Sequence, residues 1–207
     1  MPGIARDIAA SLNQSARRLT ASSRALPNFI MAGAQKSGSS SLYSYLTQHP
    51  QVLRAAHKEI HYFDSFFHKG SAWYRSQFPL NGQLTEEKIT GEATPSYLFY
   101  PGAAKRIAEL VPDVKLILLL RNPVSRAISH YHHQIRMGNE SLGLMEAIDA
   151  EEERSRKARI ILQKDPSNYR TDRKSKRGGS VHEGKVVRRL RRAQARGGMV
   201  RIGLRRF

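Results

Sequence analysis

The stretch Phe29-Ile-Met-Ala-Gly-Ala-Gln-Lys-Ser-Gly-Ser-Ser-Ser-Leu-Tyr-Ser-Tyr-Leu46 joins an apolar run, a loop of small residues and an apolar pattern at helical spacing. The run at its start is typical of a buried parallel strand. The loop contains Gly33 and Gly38, and the pattern after it predicts a helix from about Ser39 to Thr47, which stops before Pro50. A strand, a glycine-rich loop and a helix in this order present backbone N–H groups and the positive helix end to an anion. The sequence therefore predicts a phosphate-type site in this loop.

The loop differs from that of nucleoside triphosphatases in the position of its lysine. Gly33 and Gly38 have the G-x-x-x-x-G spacing, but Ser stands at position 39 and the lysine lies inside the loop as Lys36. An ATP-using enzyme also needs an acidic residue after a second strand to hold Mg²⁺. The apolar run at 114–120 ends instead in Arg121. This pattern favours an anion handled without a metal, and it leaves an ATP-using kinase as a less favoured alternative.

A second anion site is predicted at the end of the 114–120 run, which is itself typical of a strand covered on both faces. Asn122 is a good N-cap and Pro123 suits the first helical position, so a helix should begin directly after Arg121. Ser129 lies two helical turns into this predicted helix. A guanidinium can hold a phosphate by two parallel hydrogen bonds, and a hydroxyl can add another.

The segment 58–64 alternates in a way that predicts a strand or strand end with Glu59 and His61 on one face. A carboxylate beside an imidazole suits a general base, although on pattern alone an exposed strand face is the commoner interpretation. For Trp73 and its neighbours, inward packing is favoured over a platform for a sugar ring. The histidines at 130–133 lack the H-E-x-x-H spacing, and we expect them on the surface of a helix.

Together, these motifs and the segments Lys58-Glu-Ile-His-Tyr-Phe-Asp64, Lys69-Gly-Ser-Ala-Trp-Tyr74 and Gly91-Glu-Ala-Thr-Pro-Ser-Tyr97 carry a family resemblance. From about Pro27 to Glu153 the chain resembles sulfotransferases that use 3′-phosphoadenosine-5′-phosphosulfate (PAPS), in particular the heparan-sulfate-type N- and 3-O-sulfotransferases. The resemblance implies a three-layer α/β/α fold with a central parallel sheet of the P-loop nucleotide-binding type.

The resemblance also implies the chemistry: transfer of a sulfuryl group from PAPS to a hydroxyl or amine, on a carbohydrate, without a metal. Glu59 would be the general base assisted by His61, and Lys36 would stabilise charge on the leaving oxygen. Asp64 and Glu92 would lie on the acceptor side. A lysine of the animal 3-O-sulfotransferases is replaced here by Ala93, so no particular glycan is assigned. The predicted donor-binding residues are Gln35, Lys36, Ser37, Gly38, Ser39, Ser40, Ser41, Arg121 and Ser129.

The formal charge of +18 is concentrated at the end of the chain, where residues 151–207 hold 19 Lys and Arg against 6 Asp and Glu. We expect three parts: a basic amphipathic segment at 1–26, a sulfotransferase domain at 27–153 and an Arg-rich part at 154–207 that is atypical or truncated for the family. An alternative function is non-catalytic binding of nucleic acid by this part, without sequence specificity because aromatic residues are scarce.

Localisation is predicted from what the sequence lacks. The chain has no Cys, which excludes disulfides and thiolate metal sites. It has no apolar run of about 20 residues, as a transmembrane helix would need, and no signal-peptide core. We therefore expect a cytoplasmic protein. The 1–26 segment could contact a membrane surface, although packing on the domain or disorder is favoured.

Overall fold

A computed structural model describes residues 14–164 of the chain. Within that range the chain forms two compact units, one made of residues 14–120 and the other of residues 121–164. The first unit holds every strand of the described sheet. The second consists of two helices and their connection.

The first unit is an α/β structure built on a parallel sheet. Its strands are β1 (Phe29–Gly33), β2 (Val52–Arg54), β3 (Ile89–Ala93) and β4 (Lys115–Leu118), in the order β2-β3-β1-β4. The α-helices that follow β1 in this unit are α1 (Ser39–Leu46), α2 (Gly70–Arg75) and α3 (Ala103–Leu110). The predicted α/β fold with a parallel sheet is confirmed, and β1 and α1 lie where the pattern placed them. The three-residue β2 was not predicted, because it is too short to show a period.

Helix α1 is fixed on the sheet by an apolar cluster. Phe29, Met31, Tyr43 and Ala93 are buried together, and partly buried leucines of α1 pack against them. Each large side chain buried in this way contributes about 1.5–3 kcal/mol to the free energy of unfolding. In the β1–β3 register Phe29 lies opposite Gly91, where a Cβ would approach the phenyl ring to 2.6 Å. This packing sets the start of α1 at the carboxyl end of β1, where ligands bind in open parallel sheets.

The exposure of strand β4 differs from what the sequence predicted. The pattern predicted a strand covered on both faces, but Leu116 and Leu118 are 53% and 50% exposed. Ile117 and Leu119, which point the other way, pack against the apolar cluster. In the described sheet β4 is an end strand that pairs only with β1. The face that carries Leu116 and Leu118 is not covered by another layer of residues 14–120.

Trp73 and Tyr74 pack into the interior, as the favoured interpretation expected. Tyr74 is fully buried and Trp73 is 7% exposed. The ring of Tyr62 stacks on that of Tyr74 at 4.5 Å between centroids, and Phe63 meets the same ring edge-on at 5.0 Å. These contacts hold α2 against the turn that follows residue 58, and they leave neither ring as a platform for a sugar.

The described part of the N-terminal segment packs on the first unit. Residues 14–19 are helical, and the Arg17 guanidinium donates to the carbonyl oxygens of Ser76 and Phe78 at 2.7 and 3.0 Å. Arg24 also donates to the Phe78 carbonyl oxygen at 2.7 Å. For these residues the packing alternative is confirmed, whereas residues 1–13 lie outside the described range. Among the helices described, none combines the length and apolarity needed to cross a membrane.

The second unit contains helices α4 (Pro123–Arg136) and α5 (Leu144–Lys164). The Asn122 side chain caps α4 by accepting from the Ser125 N–H at 3.1 Å, which confirms the predicted cap and the proline at the first turn. Arg154 pairs with Glu140 at 2.7 Å. The expected boundary between residues 153 and 154 falls inside α5. The rest of the Arg-rich part, and with it the predicted nucleic-acid binding, lies outside the described residues.

His130 differs from the expectation of surface histidines. Its side chain is 5% exposed and accepts a hydrogen bond from the Gln134 amide at 2.9 Å, because position 130 lies on the buried face of α4. His132, by contrast, is exposed. Within residues 14–164 no group of three or more histidine and acidic side chains is arranged to hold a metal ion.

Candidate active site

The loop after β1 offers donors to an anion at the start of α1. Gly38 is the N-cap in the left-handed region at φ 97°, and its own N–H and that of Ser37 donate to no protein acceptor in the described part of the chain. The first N–H groups of any helix likewise have no partner within the helix. The buried Ser37 hydroxyl also has no hydrogen-bond partner among the described residues. Phosphate oxygens bound here would accept from the N–H groups at this end of the helix, so the loop fits the predicted ligand.

The serine run at 39–41 lies inside α1 and does not cap it. Gly38 occupies the N-cap, and no side chain caps this end of the helix. Ser39 is already within the helix and is 5% exposed, whereas Ser40 and Ser41 are exposed. The helix begins at Ser39, as predicted, so its N-cap is the glycine that precedes the serines. The exposed hydroxyls of Ser40 and Ser41 remain near the positive end of the helix.

Glu59 and His61 are brought together by a turn and not by a strand face. Neither residue is in a strand, and both have left-handed backbone angles, with φ of 60° and 57°. The Glu59 N–H donates to the Ala93 carbonyl oxygen at 3.0 Å, which fixes the turn to the end of β3. Glu59 Oε2 lies 3.7 Å from His61 Nε2. The expected pair is therefore present, although the predicted strand geometry is wrong.

The His61 ring is held between two carboxylates. Its Nδ1 lies 2.9 Å from Asp64 Oδ2, and the Ser96 hydroxyl donates to the same oxygen at 2.5 Å. Burial alone would lower the pKa of His61, but the carboxylates of Asp64 and Glu59 outweigh it and raise that pKa to about 9. Burial would raise the pKa of Asp64, yet the bonds from His61 and Ser96 bring that pKa below its ordinary value. At neutral pH the ring is an imidazolium between two carboxylates.

Glu59 is the member of this group that faces solvent. Its side chain is 48% exposed, whereas that of Asp64 is fully buried. The contact with His61 lowers the pKa of Glu59 to about 2, with further help from Lys58 and against the effect of burial. The carboxylate is therefore ionised and accessible at neutral pH. Asp64, which the resemblance placed on the acceptor side, instead lies behind His61 and is positioned to orient the ring.

Lys58 is a site residue that the sequence reasoning missed. Its ammonium group donates to the Ser40 hydroxyl at 2.6 Å and to Glu59 Oε1 at 3.1 Å. It thus joins the start of α1 to the exposed carboxylate. A cleft of about 270 Å³ opens beside these groups, lined among others by Tyr43, Arg54 and Lys58. The signal in the sequence was only a basic residue next to Glu59, because Ser40 is 18 residues away.

Glu92, which the resemblance placed on the acceptor side, lies inside the protein instead. Its side chain is fully buried. Its carboxylate oxygens accept from the hydroxyl groups of Tyr74 at 2.6 Å, Thr94 at 2.7 Å and Tyr97 at 3.3 Å. Burial raises the pKa of Glu92 to about 7, and these three bonds oppose the shift only in part. The prediction of direct contact with an acceptor is corrected, since the described structure gives an acceptor no access to this carboxylate.

The raised pKa of Glu92 makes the free energy of unfolding depend on pH. Between its ordinary pKa of 4.5 and about 7, the folded chain keeps a proton that the unfolded chain releases, so stability falls as pH rises. The full effect is about 3 kcal/mol. We expect Glu92→Gln to flatten the dependence on pH between 4.5 and 6.5, below the range in which His61 contributes.

Urea midpoints of both proteins across this range would measure the effect. Wild-type and Glu92→Gln midpoints that change in parallel from pH 4.5 to 6.5 would contradict the assignment, because the lowered pKa of His57 acts on both proteins in this window. Glu59 and Asp64 do not confuse the measurement, because lowered carboxyl pKa values affect stability below this window.

Arg121 and Ser129 belong to the second unit. Arg121 is exposed and immediately precedes the Asn122 cap of α4. Ser129 is half-buried on the same helix, one turn after Ser125. This is the local arrangement that the sequence predicted. Their role in binding the donor stays a prediction.

The chain is similar to known sulfotransferases. A family profile described as "Sulfotransferase domain" matches residues 26–158. The membrane-associated sulfotransferase kil1 of Dictyostelium discoideum is 45% identical over 111 residues, which are 54% of this chain and 24% of that protein. Human heparan sulfate glucosamine 3-O-sulfotransferase 6 is 46% identical over 110 residues, covering 52% of this chain and 30% of the relative. The chain thus matches less than a third of the length of these relatives.

A solved structure shows the same fold. The crystal structure of a sulfotransferase from Alicyclobacillus acidocaldarius is 37% identical in sequence and aligns with a TM-score of 0.54, covering 64% of this chain and 60% of the other. With the domain match, this places the chain in the sulfotransferase family. The resemblance to heparan-sulfate-type sulfotransferases inferred from the motifs is confirmed.

Proposed function

We propose that this chain transfers a sulfuryl group from PAPS to a hydroxyl or amine of a carbohydrate, with Glu59 as general base. The observation that carries the proposal is the exposed Glu59–His61 pair, which Lys58 joins to the anion-binding end of α1. The similarity to heparan sulfate sulfotransferases supports a carbohydrate acceptor. PAPS, when bound, supplies the sulfuryl group and leaves as adenosine 3′,5′-bisphosphate.

The loop after β1 and the start of α1 would hold the 5′-phosphosulfate. The N–H groups of residues 36–41 and the hydroxyls of Ser37 and Ser40 are the donors for its oxygens, together with the helix dipole. Lys36 would stabilise the negative charge that develops on the bridging oxygen as the sulfur–oxygen bond breaks. Arg121 and Ser129 would bind the 3′-phosphate, which distinguishes PAPS from ATP.

Glu59 would remove the proton of the acceptor. It stays ionised at neutral pH, so it is always in the form that accepts a proton. The hydroxyl becomes strongly acidic as its oxygen bonds to sulfur, and a weak carboxylate base therefore suffices in the transition state. His61, held by Asp64, keeps the carboxylate in place by its positive charge.

The experiment that tests the function is thermal stabilisation by adenosine 3′,5′-bisphosphate compared with ATP–Mg²⁺. A ligand that binds only the folded state, supplied at 100–1,000 times its Kd, raises stability by roughly 3–4 kcal/mol. We expect stabilisation by the bisphosphate alone. Stabilisation by ATP–Mg²⁺ alone would contradict the proposal and favour the kinase alternative. Transfer from labelled PAPS to heparan-type oligosaccharides would then identify the acceptor.

Arg121→Ala is expected to weaken binding of the bisphosphate by about 10- to 100-fold, since a charge-assisted bond pair to phosphate is lost. Its affinity for adenosine 5′-phosphosulfate, which lacks the 3′-phosphate, should not change. Calorimetric titration of both ligands would measure the two constants. Equal losses of affinity for the two ligands would show that Arg121 does not bind the 3′-phosphate.

A further inference from the structure

A buried group of polar side chains lies behind the Glu59–His61 pair. It consists of Glu92, Thr94 and Tyr97, each no more than 3% exposed. We propose that Glu92 is a positioning residue: through Thr94 and Tyr97 it holds the backbone of residues 61–63, and thereby keeps the His61 ring directed at Glu59 and Asp64. The inference rests on the proposed function for its catalytic consequence but not for its structural one.

Glu92 fixes the directions of its hydroxyl partners. Thr94 Oγ1 donates to Glu92 Oε2 at 2.7 Å, and the Tyr97 hydroxyl lies 3.3 Å from both carboxylate oxygens. When Glu92 is ionised, above its pKa of about 7, each hydroxyl donates its single proton to the carboxylate, so its lone pairs are left to accept bonds from other groups. The buried carboxylate of Glu92 thus makes both hydroxyls hydrogen-bond acceptors toward other groups.

The hydroxyls accept from the turn that carries His61. The Tyr97 hydroxyl accepts from the N–H groups of Tyr62 at 2.9 Å and Phe63 at 3.4 Å. Thr94 Oγ1 accepts from the His61 N–H at 3.4 Å. Three successive N–H groups of the turn therefore donate to two hydroxyl groups that Glu92 orients.

This support matters because the turn is strained. His61 has a φ of 57°, a left-handed conformation that is unfavourable for a residue with a side chain. Such conformations persist where the surroundings impose them. If the N–H groups lost their acceptors, the backbone could relax toward the usual region, and the ring of His61 would turn away from Asp64 and Glu59.

Glu92 is not itself paired with a cation among the groups that act on it most strongly. The titratable groups that act on Glu92 are Tyr74 from α2, Tyr97 from the segment after β3, Asp64 from the turn and Tyr43 from α1. None of these is a cation. The role of Glu92 is therefore to organise hydroxyl groups, and its influence on His61 passes through backbone geometry.

The test is an NMR titration of the His61 ring in the whole chain, with the resonance assigned by its loss in His61→Gln. In the wild type the ring should titrate at about 9. In Glu92→Gln and in Thr94→Val the carboxylate contacts should loosen, and the pKa of His61 should fall by about one unit or more. If Glu92→Gln does not fold, Thr94→Val decides the question.

Thr90→Val is the matched control. Thr90 is equally buried on β3 and loses a comparable bond, from its hydroxyl to the Leu53 carbonyl oxygen at 2.8 Å, but it does not touch the turn. It should leave the pKa of His61 at the wild-type value. The proposal is overturned if folded Thr94→Val keeps the wild-type pKa, or if Thr90→Val lowers it as much.

Kinetics give a second measurement. For sulfuryl transfer we expect kcat to fall about 10- to 100-fold in Thr94→Val while the Kd of adenosine 3′,5′-bisphosphate stays constant. Thr94→Ser, which restores the hydroxyl, should recover most of the rate. An equal loss of kcat in Thr90→Val would overturn the positioning role. A chain that transfers no sulfuryl group would remove the proposed function alone, because the NMR titration needs no substrate.

Discussion

Glu59→Gln should lower kcat for sulfuryl transfer by about 10²–10⁴-fold, the usual contribution of a general base. The amide has almost the same shape as the carboxylate but cannot take up the proton of the acceptor. The bisphosphate should bind as it does to the wild type, since Glu59 is reserved for the acceptor in the proposed mechanism. Single-turnover transfer from labelled PAPS and calorimetric titration would measure the two quantities.

Glu109→Gln is the control for this substitution. Glu109 is exposed on α3, where it forms only a surface pair with Lys105 at 3.8 Å. It should leave both constants unchanged. A rate of Glu59→Gln close to that of the wild type would mean that another group removes the proton, whereas a loss confined to bisphosphate affinity would move Glu59 to the donor side.

Lys36→Ala should lower kcat by about 10²–10³-fold, comparable to the loss of one preorganised donor to developing negative charge. Lys36 lies in the loop after β1, and its left-handed φ of 61° is imposed by the same turn that exposes the N–H groups. The charge it meets appears mainly in the transition state, so the affinity for bisphosphate should change much less than kcat.

Lys105→Ala, at a position whose side chain is 82% exposed, is the matched control for the loss of a positive charge. The comparison is made with the kcat and Kd of each variant. If Lys36→Ala weakened bisphosphate binding as strongly as it slowed transfer, Lys36 would serve binding in general and not the departure of the leaving group.

The sequence predicted those parts of the fold that are determined by residues close together in the chain. The strand, loop and helix around Gly33 and Gly38 and the Asn122 cap with Pro123 are decided within a few residues. Strand β4 shows where such signals end, because the exposure of Leu116 depends on which layers cover the sheet. An apolar run alone cannot tell one covered face from two.

The sequence predicted residues of the candidate site but not how they are arranged. Alternation placed Glu59 and His61 together, yet the structure achieves this with a turn, since two left-handed residues bring their side chains to the same side much as a strand would. Lys58 and Ser96 were missed because their partners are 18 and 32 residues away. Glu92 was misplaced because the sequence gives no sign that three hydroxyl groups surround it.

Lys36, Glu59 and His61 are the three residues other than glycine that have left-handed backbone angles in the described chain. Glycine would adopt these angles without the steric cost that a Cβ introduces. A search for thermostable variants by backbone fit alone would therefore tend to select glycine or asparagine at these positions and discard the reaction. Stability and activity make opposite demands at the same three residues, so engineering of this fold should hold them fixed and look for stability elsewhere.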